Sequence, residues 1–451
     1  MNIFLHRNDL RIHDNRALRA ASNSWETVPV YIDDPRIRNR NGMNKRAFRE
    51  KGLEKLAEKY EERGSGLIIK QGKTDNKLEE LVDRFNAEKI YYGRTYNPIG
   101  REIEREIEGI NIESQGMQNN LLVEPQQLSQ EYDTFSPFYR EWKKVKKTSP
   151  AEKPENLADV DSEVPDFDTE ASADIPGAGE DKALEKWRDF RDKRMSNYKD
   201  KRDDVANPEY VSKLSMYYSS GMLGKRKVLS DIENKINRED NSHDIKNYAK
   251  YRNEIAWGEF FYQVLWDNPQ AVTENYRDIP NDIEWKNKSE ELEAWKKGET
   301  GIPFVDAGMR QLVETGYMHN RLRQNVASFL TKHLMIDWRE GARFFRKHLV
   351  DHNTPSNNGG WQWSASTGTD SVSIRIFNPV KQGRQYDSHA EYIKRWVPEL
   401  RDLDPNSIHN WVEMGQKERN EYDTDYPDPI INFNQRYHAG RKMFENALGY
   451  E

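Results

Sequence analysis

The chain has 451 residues, of which 33% are charged and 35% hydrophobic, and its formal net charge is −7 at pH 7. This length exceeds what one ordinary hydrophobic core holds, so we expect at least two domains. There are no cysteines, which excludes disulfides, thiolate nucleophiles and cysteine-ligated iron–sulfur or zinc centres. The negative net charge repels nucleic acid, so any DNA binding would require a local basic patch.

The start of the chain carries no signal for secretion. His6, Arg7 and Asp9 place charged or polar groups where a signal peptide needs an apolar core. No run approaches the 18 apolar residues that could span a membrane. We therefore expect a soluble, cytoplasmic protein without a membrane partner.

Residues 1–146 alternate short apolar runs with helical patterns. Four runs have the composition of buried strands: NIFLH, VPVYID, GLIIKQG and KIYYG. Three helical patterns lie between them: DNRALRAAS, residues 45–63, and DNKLEELVDRF. This alternation predicts an α/β domain with a doubly wound parallel sheet. No GxGxxG motif follows the first strand, so the usual dinucleotide-binding loop is absent.

Composition changes over residues 147–182. The stretch TSPAEKPENLADVDSEVPDFDTEASADIPGAGE is rich in Pro, Ala, Asp and Glu and lacks apolar periodicity. It predicts a partly irregular interdomain linker that crosses the surface. Because its acidity would repel DNA, we expect it to lie away from any DNA-binding face.

Residues 183–451 are almost wholly helical in pattern, with many aromatic residues. Five segments fit a period of 3.6: LEKWRDFRDKRMSNY, YAKYRNEIAWGEFFYQVL, VDAGMRQLVETG, HNRLRQNVASFLTKHL and GARFFRKHLV. There is no internal repeat. The pattern predicts a larger all-helical domain after the linker.

The segment HNRLRQNVASFL places an arginine on a helical face that becomes apolar. Asn320, Arg323, Gln324, Ala327 and Leu330 share this face. A buried guanidinium needs a carboxylate partner, and the carboxylate of residue 351 is a candidate. A surface arginine at a helix start would explain the pattern equally well.

Two further segments suggest a bound cofactor. In NNGGWQWSASTGTD, two glycines let the backbone approach a flat group closely, with Trp361 and Trp363 beside it, although a loop packed on the core is the plainer reading. In VSKLSMYYSSGMLGKRKVL, the hydroxyls of Ser212 and Ser215 and the charge of Lys213 would suit a phosphate at a helix start. An ordinary serine cap would look the same.

At these residues the chain resembles the photolyase/cryptochrome family over nearly its full length, and most closely the class I cyclobutane pyrimidine dimer photolyases. The matching blocks, in order, are HRNDLRIHDNRAL, KLSMYYSSGMLGKR, NEIAWGEFFY, AWKKGETGIPFVDAGMRQL, YMHNRLR, IDWREG, NNGGWQWSASTGTD and RIFNPVKQG. The resemblance implies an antenna domain at 1–146 and a helical FAD- and DNA-binding domain at 183–451. It implies light-driven repair of pyrimidine dimers in DNA by electron transfer from reduced FAD. It also implies a monomer with no obligate protein partner and no metal.

The resemblance assigns two groups of residues to FAD. The first would hold the phosphates: Tyr198, Ser212, Lys213, Leu214 and Ser215. The second would surround the flavin ring: Asn320, Arg323, Asp351, Asn353 and Asn357. Asn357 would face N5 of the flavin and favour its reduced form; plant cryptochromes carry aspartate there, which points to repair. Val211 replaces a threonine of the family, and Asn353 replaces an aspartate.

The resemblance also assigns residues to the substrate and to electron transfer. Glu254 would hydrogen-bond the dimer bases, and Trp257 and Trp363 would wall the pocket that receives the flipped dimer. A spacing of three places Glu254 and Trp257 on one helical face. Electrons would pass from the surface to FAD through three tryptophans: Trp285, Trp338 and Trp361. Further DNA contacts would come from Arg202, Asn320, Arg321, Gln324, Gln382 and Arg384, each of which could equally be a solvated surface residue.

Departures from the family leave alternatives open. Gly258 replaces an arginine near the substrate, and Gln324 replaces a methionine that touches the dimer. Gly100 stands where folate-binding members carry glutamate, so the antenna could be a deazaflavin, a folate or none. The (6-4) photolyases have histidines at positions 320 and 324, which argues against that lesion.

Two other members of the family remain as alternatives. Gln324 resembles the DASH cryptochromes, which favour single-stranded DNA, whereas Trp363 argues against them. A signalling cryptochrome would often have a long C-terminal extension, and only about 70 residues follow RIFNP here. We therefore expect repair rather than signalling.

Overall fold

The N-terminal part of the computed structural model, which describes residues 1–23 and 25–450, contains a five-stranded parallel sheet. Its strands are β1 Asn2–His6, β2 Thr27–Asp33, β3 Ile68–Gln71, β4 Lys89–Gly93 and β5 Glu113–Met117. The order is β3-β2-β1-β4-β5, so the winding direction reverses between β1 and β4. The predicted α/β class is confirmed. β5 was not predicted, because its sequence ESQGM lacks the apolar composition of the other four strands.

Within the described residues, six α-helices accompany the sheet: α1 Arg16–Ala21, α2 Pro35–Arg38, α3 Met43–Glu61, α4 Thr74–Phe85, α5 Pro98–Glu108 and α6 Phe135–Lys144. Local sequence explains several of their starts. The side chains of Asn15, Asp34 and Asn97 accept backbone N–H groups at the beginnings of α1, α2 and α5. Proline occupies the first turn of α2 and of α5, where no backbone donor is needed.

The segment between α6 and α7 contains no helix, yet it is fixed to the sheet. Leu157 and Glu163 form parallel bridges to Thr27 and Ile68, and Ala158 is fully buried. This acidic stretch therefore follows the β2–β3 side of the sheet.

The rest of the chain is helical, which confirms the predicted class. Its helices are α7 Glu180–Lys193, α8 Tyr198–Lys201, α9 Ser215–Ser220, α10 Lys225–Arg238, α11 Ser242–Asp267, α12 Ser289–Lys297, α13 Pro303–Thr315, α14 Asn320–Ser328, α15 Trp338–His348, α16 Thr354–Ala365, α17 Pro379–Tyr386, α18 Glu391–Trp396, α19 Pro405–Asn410, α20 Gln416–Arg419 and α21 Phe433–Ala447. α14 continues into a fully buried π-helical turn, Phe329–His333.

Buried polar contacts lock the two halves together. Glu259 on α11 is 2% exposed and accepts the backbone N–H of Leu122 at 2.7 Å and the indole N–H of Trp142 at 2.9 Å. From the sheet side, Arg11 donates to the carbonyl of Gly221 at 2.8 Å. These contacts satisfy charges that would be costly to bury alone, so they fix the position of α11 against the N-terminal half.

Candidate functional site

A cavity of about 220 Å³ lies within the helical half; we call it the helical-domain cavity. Eight of the ten residues predicted to hold a cofactor line it: Tyr198, Ser212, Lys213, Leu214, Ser215, Asn320, Arg323 and Asp351. It is also lined by Arg202 and Glu254, which were predicted for the substrate, and by residues that were not predicted: Asp203, Tyr317, Met318 and His319, besides Val211. The cavity is thus built from segments more than a hundred residues apart.

The predicted ion pair between Arg323 and Asp351 is present in this cavity. Nη2 of Arg323 lies 2.7 Å from Oδ2 of Asp351, and the same oxygen accepts the hydroxyl of Ser215 at 2.6 Å. Burial lowers the pKa of Arg323, but the charge of Asp351 outweighs this and raises it overall. Oδ1 of Asp351 is buried and has no hydrogen-bond partner within residues 1–23 and 25–450. A free carboxylate oxygen beside a fixed cation is an acceptor ready for a ligand N–H.

The other carboxylates at this cavity are also paired, whereas Lys213 forms no ion pair within the described residues. Glu254 forms ion pairs with Arg202 and with Lys250, the latter at 2.7 Å. Asp203 binds Arg321 at 2.9 Å. Glu254 is therefore held in place at the cavity rather than extended into solvent.

Neutral polar groups complete the cavity. His319 caps α14 and its Nε2 lies 2.9 Å from the carbonyl of Arg202. Burial lowers the pKa of His319 to about 4, so its imidazole is neutral at pH 7. The hydroxyl of Tyr251 donates to the hydroxyl of Ser212 at 3.0 Å. The one cation in the described lining that forms no ion pair, Lys213, has its pKa lowered from the ordinary value by burial.

Trp257, the predicted wall of a substrate pocket, lies face to face with a ring from the N-terminal half. The ring centroids of Trp257 and Phe135 are 3.8 Å apart and the planes differ by 6°. Phe135 covers one indole face, so only the other face can stack on a base. Phe135 was not predicted, because it lies 122 positions earlier in the chain and only the fold brings it to α11.

The helix α16 carries the second predicted wall. Trp363 packs on Phe377 with centroids 5.9 Å apart, and Arg375 lies over its ring at 4.6 Å. A Cβ built at Gly360, one turn after Asn357, would meet no atom within 4 Å, and the same holds at Gly258. Two helix faces are therefore bare where a side chain would otherwise project.

Asn353 and Asn357 are not among the residues that line the helical-domain cavity. Asn353 caps α16 and donates to the hydroxyl of Tyr262 at 2.6 Å, while Asn357 donates to the carbonyl of Ala342 at 3.1 Å. Both line a second cavity between the two halves. Their predicted contacts with a flavin stay predictions.

This interdomain cavity has a volume of about 760 Å³. One wall is the carboxyl-end edge of the sheet near β1 and β4, where ligands bind in open α/β folds because the winding reverses there. The opposite wall comes from α15 and α16 and includes Trp338. Gly100 also lines it, and a Cβ at this position would collide with the hydroxyl of Thr95. The site is therefore shaped for a glycine there, not for the glutamate of folate-binding members.

The interdomain cavity is strongly basic. Seven cationic side chains line it: Arg7, Arg40, Lys45, Arg49, Arg339, Arg343 and Arg346. Its lining includes no aspartate or glutamate among the described residues. Lys45 and Arg49 are buried at 5% and 7% exposure and use neutral acceptors, such as the carbonyl of His352 and the hydroxyl of Tyr31. Burial lowers the pKa of Lys45 to about 7.

The three tryptophans predicted to carry electrons do not stack on one another within the described residues. Trp285 packs on Phe444, and the indole N–H of Trp338 donates to Asn275 at 3.0 Å. The Trp361 ring covers Gly341, which lies one turn after Trp338 on α15. Trp361 also has an unpredicted neighbour, the fully buried Trp295, with centroids 6.0 Å apart.

The predicted DNA contacts are dispersed. Gln324 accepts from Arg321 at 3.2 Å near the helical-domain cavity. Arg384 pairs with Glu413 at 2.8 Å, and Gln382 lines a separate groove. Across residues 1–23 and 25–450, no helix is long and apolar enough to cross a membrane.

Comparison with known proteins gives two family matches. Residues 2–156 match the family model for DNA photolyase, and residues 251–446 match the FAD binding domain of DNA photolyase. A deoxyribodipyrimidine photo-lyase of Halobacterium salinarum is 35% identical, with both chains covered over their full length.

Two solved structures are similar over nearly the whole chain. A bacterial class III photolyase from Agrobacterium tumefaciens has a TM-score of 0.89 and 31% identity, covering 99% of this chain and 97% of its own. An archaeal photolyase from Sulfolobus tokodaii with two FAD molecules has a TM-score of 0.82 and 30% identity, covering 99% and 100%. The chain belongs to the DNA photolyase family and contains its FAD-binding domain.

Proposed function

We propose that this protein repairs cyclobutane pyrimidine dimers in DNA, using light and reduced FAD. The observation that carries the proposal is the helical-domain cavity, which joins the Arg323–Asp351 pair to Glu254. One set of residues would bind part of the cofactor and Glu254 would bind the damaged bases, so the electron donor and acceptor would meet at this cavity. Family relatives named deoxyribodipyrimidine photo-lyase support the same activity.

The residues of the helical-domain cavity fit FAD chemically. The unpartnered Oδ1 of Asp351 would accept an N–H of the flavin, while Lys213 and the Ser212 hydroxyl would bind phosphate. At about 220 Å³ the cavity is below the roughly 300–1,000 Å³ of pockets that enclose a small ligand, so it would hold only part of the dinucleotide. Bound FAD would supply an electron on illumination and take it back after the dimer has split, so repair needs no net oxidant.

The chain's own residues would bind and orient the dimer. A dimer inside duplex DNA cannot reach a buried site and must be extruded, which its weakened pairing makes easier. The face of Trp257 that Phe135 leaves uncovered would stack on one base and offset part of this cost, at about 1–3 kcal/mol per base. Glu254, held by Arg202 and Lys250, would accept hydrogen bonds from the bases.

The lesion type follows from two positions near the cavity. Residues 320 and 324 are asparagine and glutamine, so neither can act as the acid or base that the (6-4) photolyases place there. Gln324 is instead tied to Arg321. We therefore infer specificity for the cyclobutane dimer.

The test is illumination of the reduced holoprotein with oligonucleotides that carry one defined lesion. Recovery of intact thymines from a cyclobutane dimer, with no reaction of a (6-4) photoproduct, is the expected result. Tight FAD binding without repair of either lesion would favour a photoreceptor. Repair confined to single-stranded DNA would favour the DASH type.

We also propose that the interdomain cavity binds an anionic antenna chromophore of the flavin or deazaflavin class. Its cationic lining, which includes no carboxylate in the part of the chain that the structure describes, suits a phosphate-bearing ligand, and Gly100 disfavours folate. The Sulfolobus tokodaii relative, described with two FAD molecules and a novel light-harvesting cofactor, supports a flavin. Extraction of the native protein should release a second chromophore with phosphate. A folate in the extract would contradict this assignment.

A further inference from the structure

A third concave site, of about 510 Å³, lies between the start of α17 and α21, outside the two cavities described above. We call it the α17–α21 groove. Four of its lining residues carry rings: Phe377, Phe433, Tyr437 and His438. Tyr437 is half-buried and His438 is exposed, so both rings are accessible from solvent.

The polar lining of the groove suits a nucleotide. Asn378 and Gln382 contribute amides, which both donate and accept hydrogen bonds, and Lys381 contributes a cation. One amide oxygen, Oε1 of Gln382, is buried and has no partner among the described residues. The groove has no aspartate or glutamate in its described lining, so nothing there repels a phosphate.

The groove and the predicted dimer pocket are separated by a single aromatic side chain. Phe377 lines the groove and packs on Trp363, the predicted wall of that pocket, with centroids 5.9 Å apart. The backbone N–H of Phe377 donates to the hydroxyl of Ser328 at 3.0 Å, which fixes this ring to the end of α14. A DNA strand that reaches Trp363 therefore passes close to the groove.

The rings on the α21 side are held in place before any ligand arrives. The imidazole of His333, from the π-helical turn, stacks on Phe433 with centroids 4.6 Å apart and lies 6.2 Å from Tyr437. Burial lowers the pKa of His333 to about 3, so this support is neutral at pH 7. A preformed aromatic surface loses little entropy when it binds a base.

We propose that the α17–α21 groove binds one unpaired nucleobase of the DNA next to the extruded dimer. The inference rests on the proposed repair function. Extrusion leaves neighbouring bases without a stacking or pairing partner, and the groove offers both a ring and amide groups. Two sources could supply the base: the strand opposite the dimer, or the lesion strand beside it.

The experiment compares Tyr437→Ala with Tyr437→Phe, which keeps the ring, and with Tyr450→Ala, which removes an exposed tyrosine outside the groove. Each holoprotein is given a dimer in a duplex and the same dimer in a single strand. We expect Tyr437→Ala to raise the half-saturating duplex concentration at least fivefold, because a base stack is worth about 1–3 kcal/mol. Tyr437→Phe and Tyr450→Ala should stay within about twofold of the unmodified protein.

The two substrates separate the two sources of the base. If Tyr437→Ala raises the half-saturating concentration of the duplex alone, the base comes from the opposite strand. If it raises that of the single strand equally, the base comes from the lesion strand. No rise with either substrate overturns the proposal. Because Tyr437 is half-buried, His438→Ala repeats the measurement with a ring whose removal leaves the packing intact.

A fluorescent base gives a direct readout. 2-Aminopurine loses fluorescence when it stacks on an aromatic ring, so it is placed opposite the dimer in one duplex and beside it in another. We expect one position to be quenched by the unmodified protein and brighter with Tyr437→Ala. Equal fluorescence with both proteins at both positions would overturn the groove as a base site. A different result would contradict the proposed repair function itself: the unmodified protein would repair the dimer in neither substrate.

Discussion

The helical-domain cavity and the interdomain cavity differ in how their charges are compensated. In the first, every arginine described above faces a carboxylate: Arg323 with Asp351, Arg202 with Glu254, and Arg321 with Asp203. In the second, seven cations line the cavity, and three of them reach a carboxylate outside the lining: Arg7 with Glu104, Arg339 with Asp337, and Arg343 with Glu340. Among the described residues, only Lys213 is left without a carboxylate at the first site, whereas four cations of the second have none: Arg40, Lys45, Arg49 and Arg346.

This difference predicts how each site responds to its ligand. A cavity whose ion pairs already exist is preorganised, so its side chains need not rearrange when a cofactor binds. The buried cations Lys45 and Arg49 of the interdomain cavity lower the stability of the folded protein until an anion binds beside them. Binding of an anion in the interdomain cavity should therefore raise the free energy of unfolding. The gain should exceed what the contact area of the ligand alone would give.

The largest effect should follow from breaking the paired site with Asp351→Asn. Arg323 then loses its carboxylate, and we expect the free energy of unfolding to fall by about 1.5–3 kcal/mol, the range for hydrogen bonds to charged groups. FAD content, measured by the ratio of flavin to protein absorbance, should fall together with it.

Glu413→Gln is the matched control, because it removes an exposed partner of Arg384. We expect this control to change stability by less than about 1 kcal/mol and to leave FAD bound. Equal losses in the two variants would mean that the Arg323–Asp351 pair is no more important than a surface pair.

The second effect should appear in the interdomain cavity with Lys45→Met. Removing a buried cation that pairs with no carboxylate among residues 1–23 and 25–450 should not destabilise the chromophore-free protein. It should weaken binding of a phosphate-bearing flavin by about ten- to a hundredfold, measured by fluorescence titration. Unchanged affinity would contradict the proposal that this cavity needs an anion.

A smaller effect should show that the helical-domain site depends on the N-terminal half. Phe135→Ala removes the stack on Trp257, which is worth about 0.5–1.5 kcal/mol beyond its buried area. The half-saturating concentration of dimer DNA should rise up to about tenfold, while FAD absorbance and the repair yield at saturation stay the same. Phe135→Tyr keeps the stack and should restore binding; failure to do so would assign Phe135 to folding alone.

Part of this site follows from elementary rules applied to the sequence. An arginine on a helical face that turns apolar requires a carboxylate, and Arg323 does pair with Asp351. The four buried strands were visible as apolar runs, whereas β5 was not, because a strand of polar residues has no pattern that distinguishes it from a loop.

The rest depends on contacts between distant segments. The stack of Phe135 on Trp257 and the cluster of Lys45, Arg49 and Arg346 arise only when the two halves meet. The direction of Asn357 depends on which acceptor its amide finds, here the carbonyl of Ala342. None of these leaves a periodic signal in the sequence.

The last prediction concerns pH and can be tested on the protein without any ligand. Burial, and then the charge of Arg49, lowers the pKa of Lys45 to about 7, while Asp351 opposes the shift. Between about pH 7 and the ordinary lysine pKa near 10.4, the unfolded chain would bind a proton at Lys45 that the folded chain does not. The stability of the chromophore-free protein should therefore rise with pH across this window, by linkage.

Lys45→Met isolates this contribution, since it removes the titrating group and leaves the others. The difference in unfolding free energy between the two proteins, measured by denaturant titration from pH 6 to 10, should depend on pH only above about 7. An anionic chromophore reverses the preference, because its charge favours the protonated lysine, so its affinity should fall as pH rises through 7. A difference that stays constant across the range would mean that Lys45 keeps its charge in the folded protein. A charged lysine in the interdomain cavity would then cost the folded protein no more than a charge in the helical-domain cavity, where ion pairs compensate it.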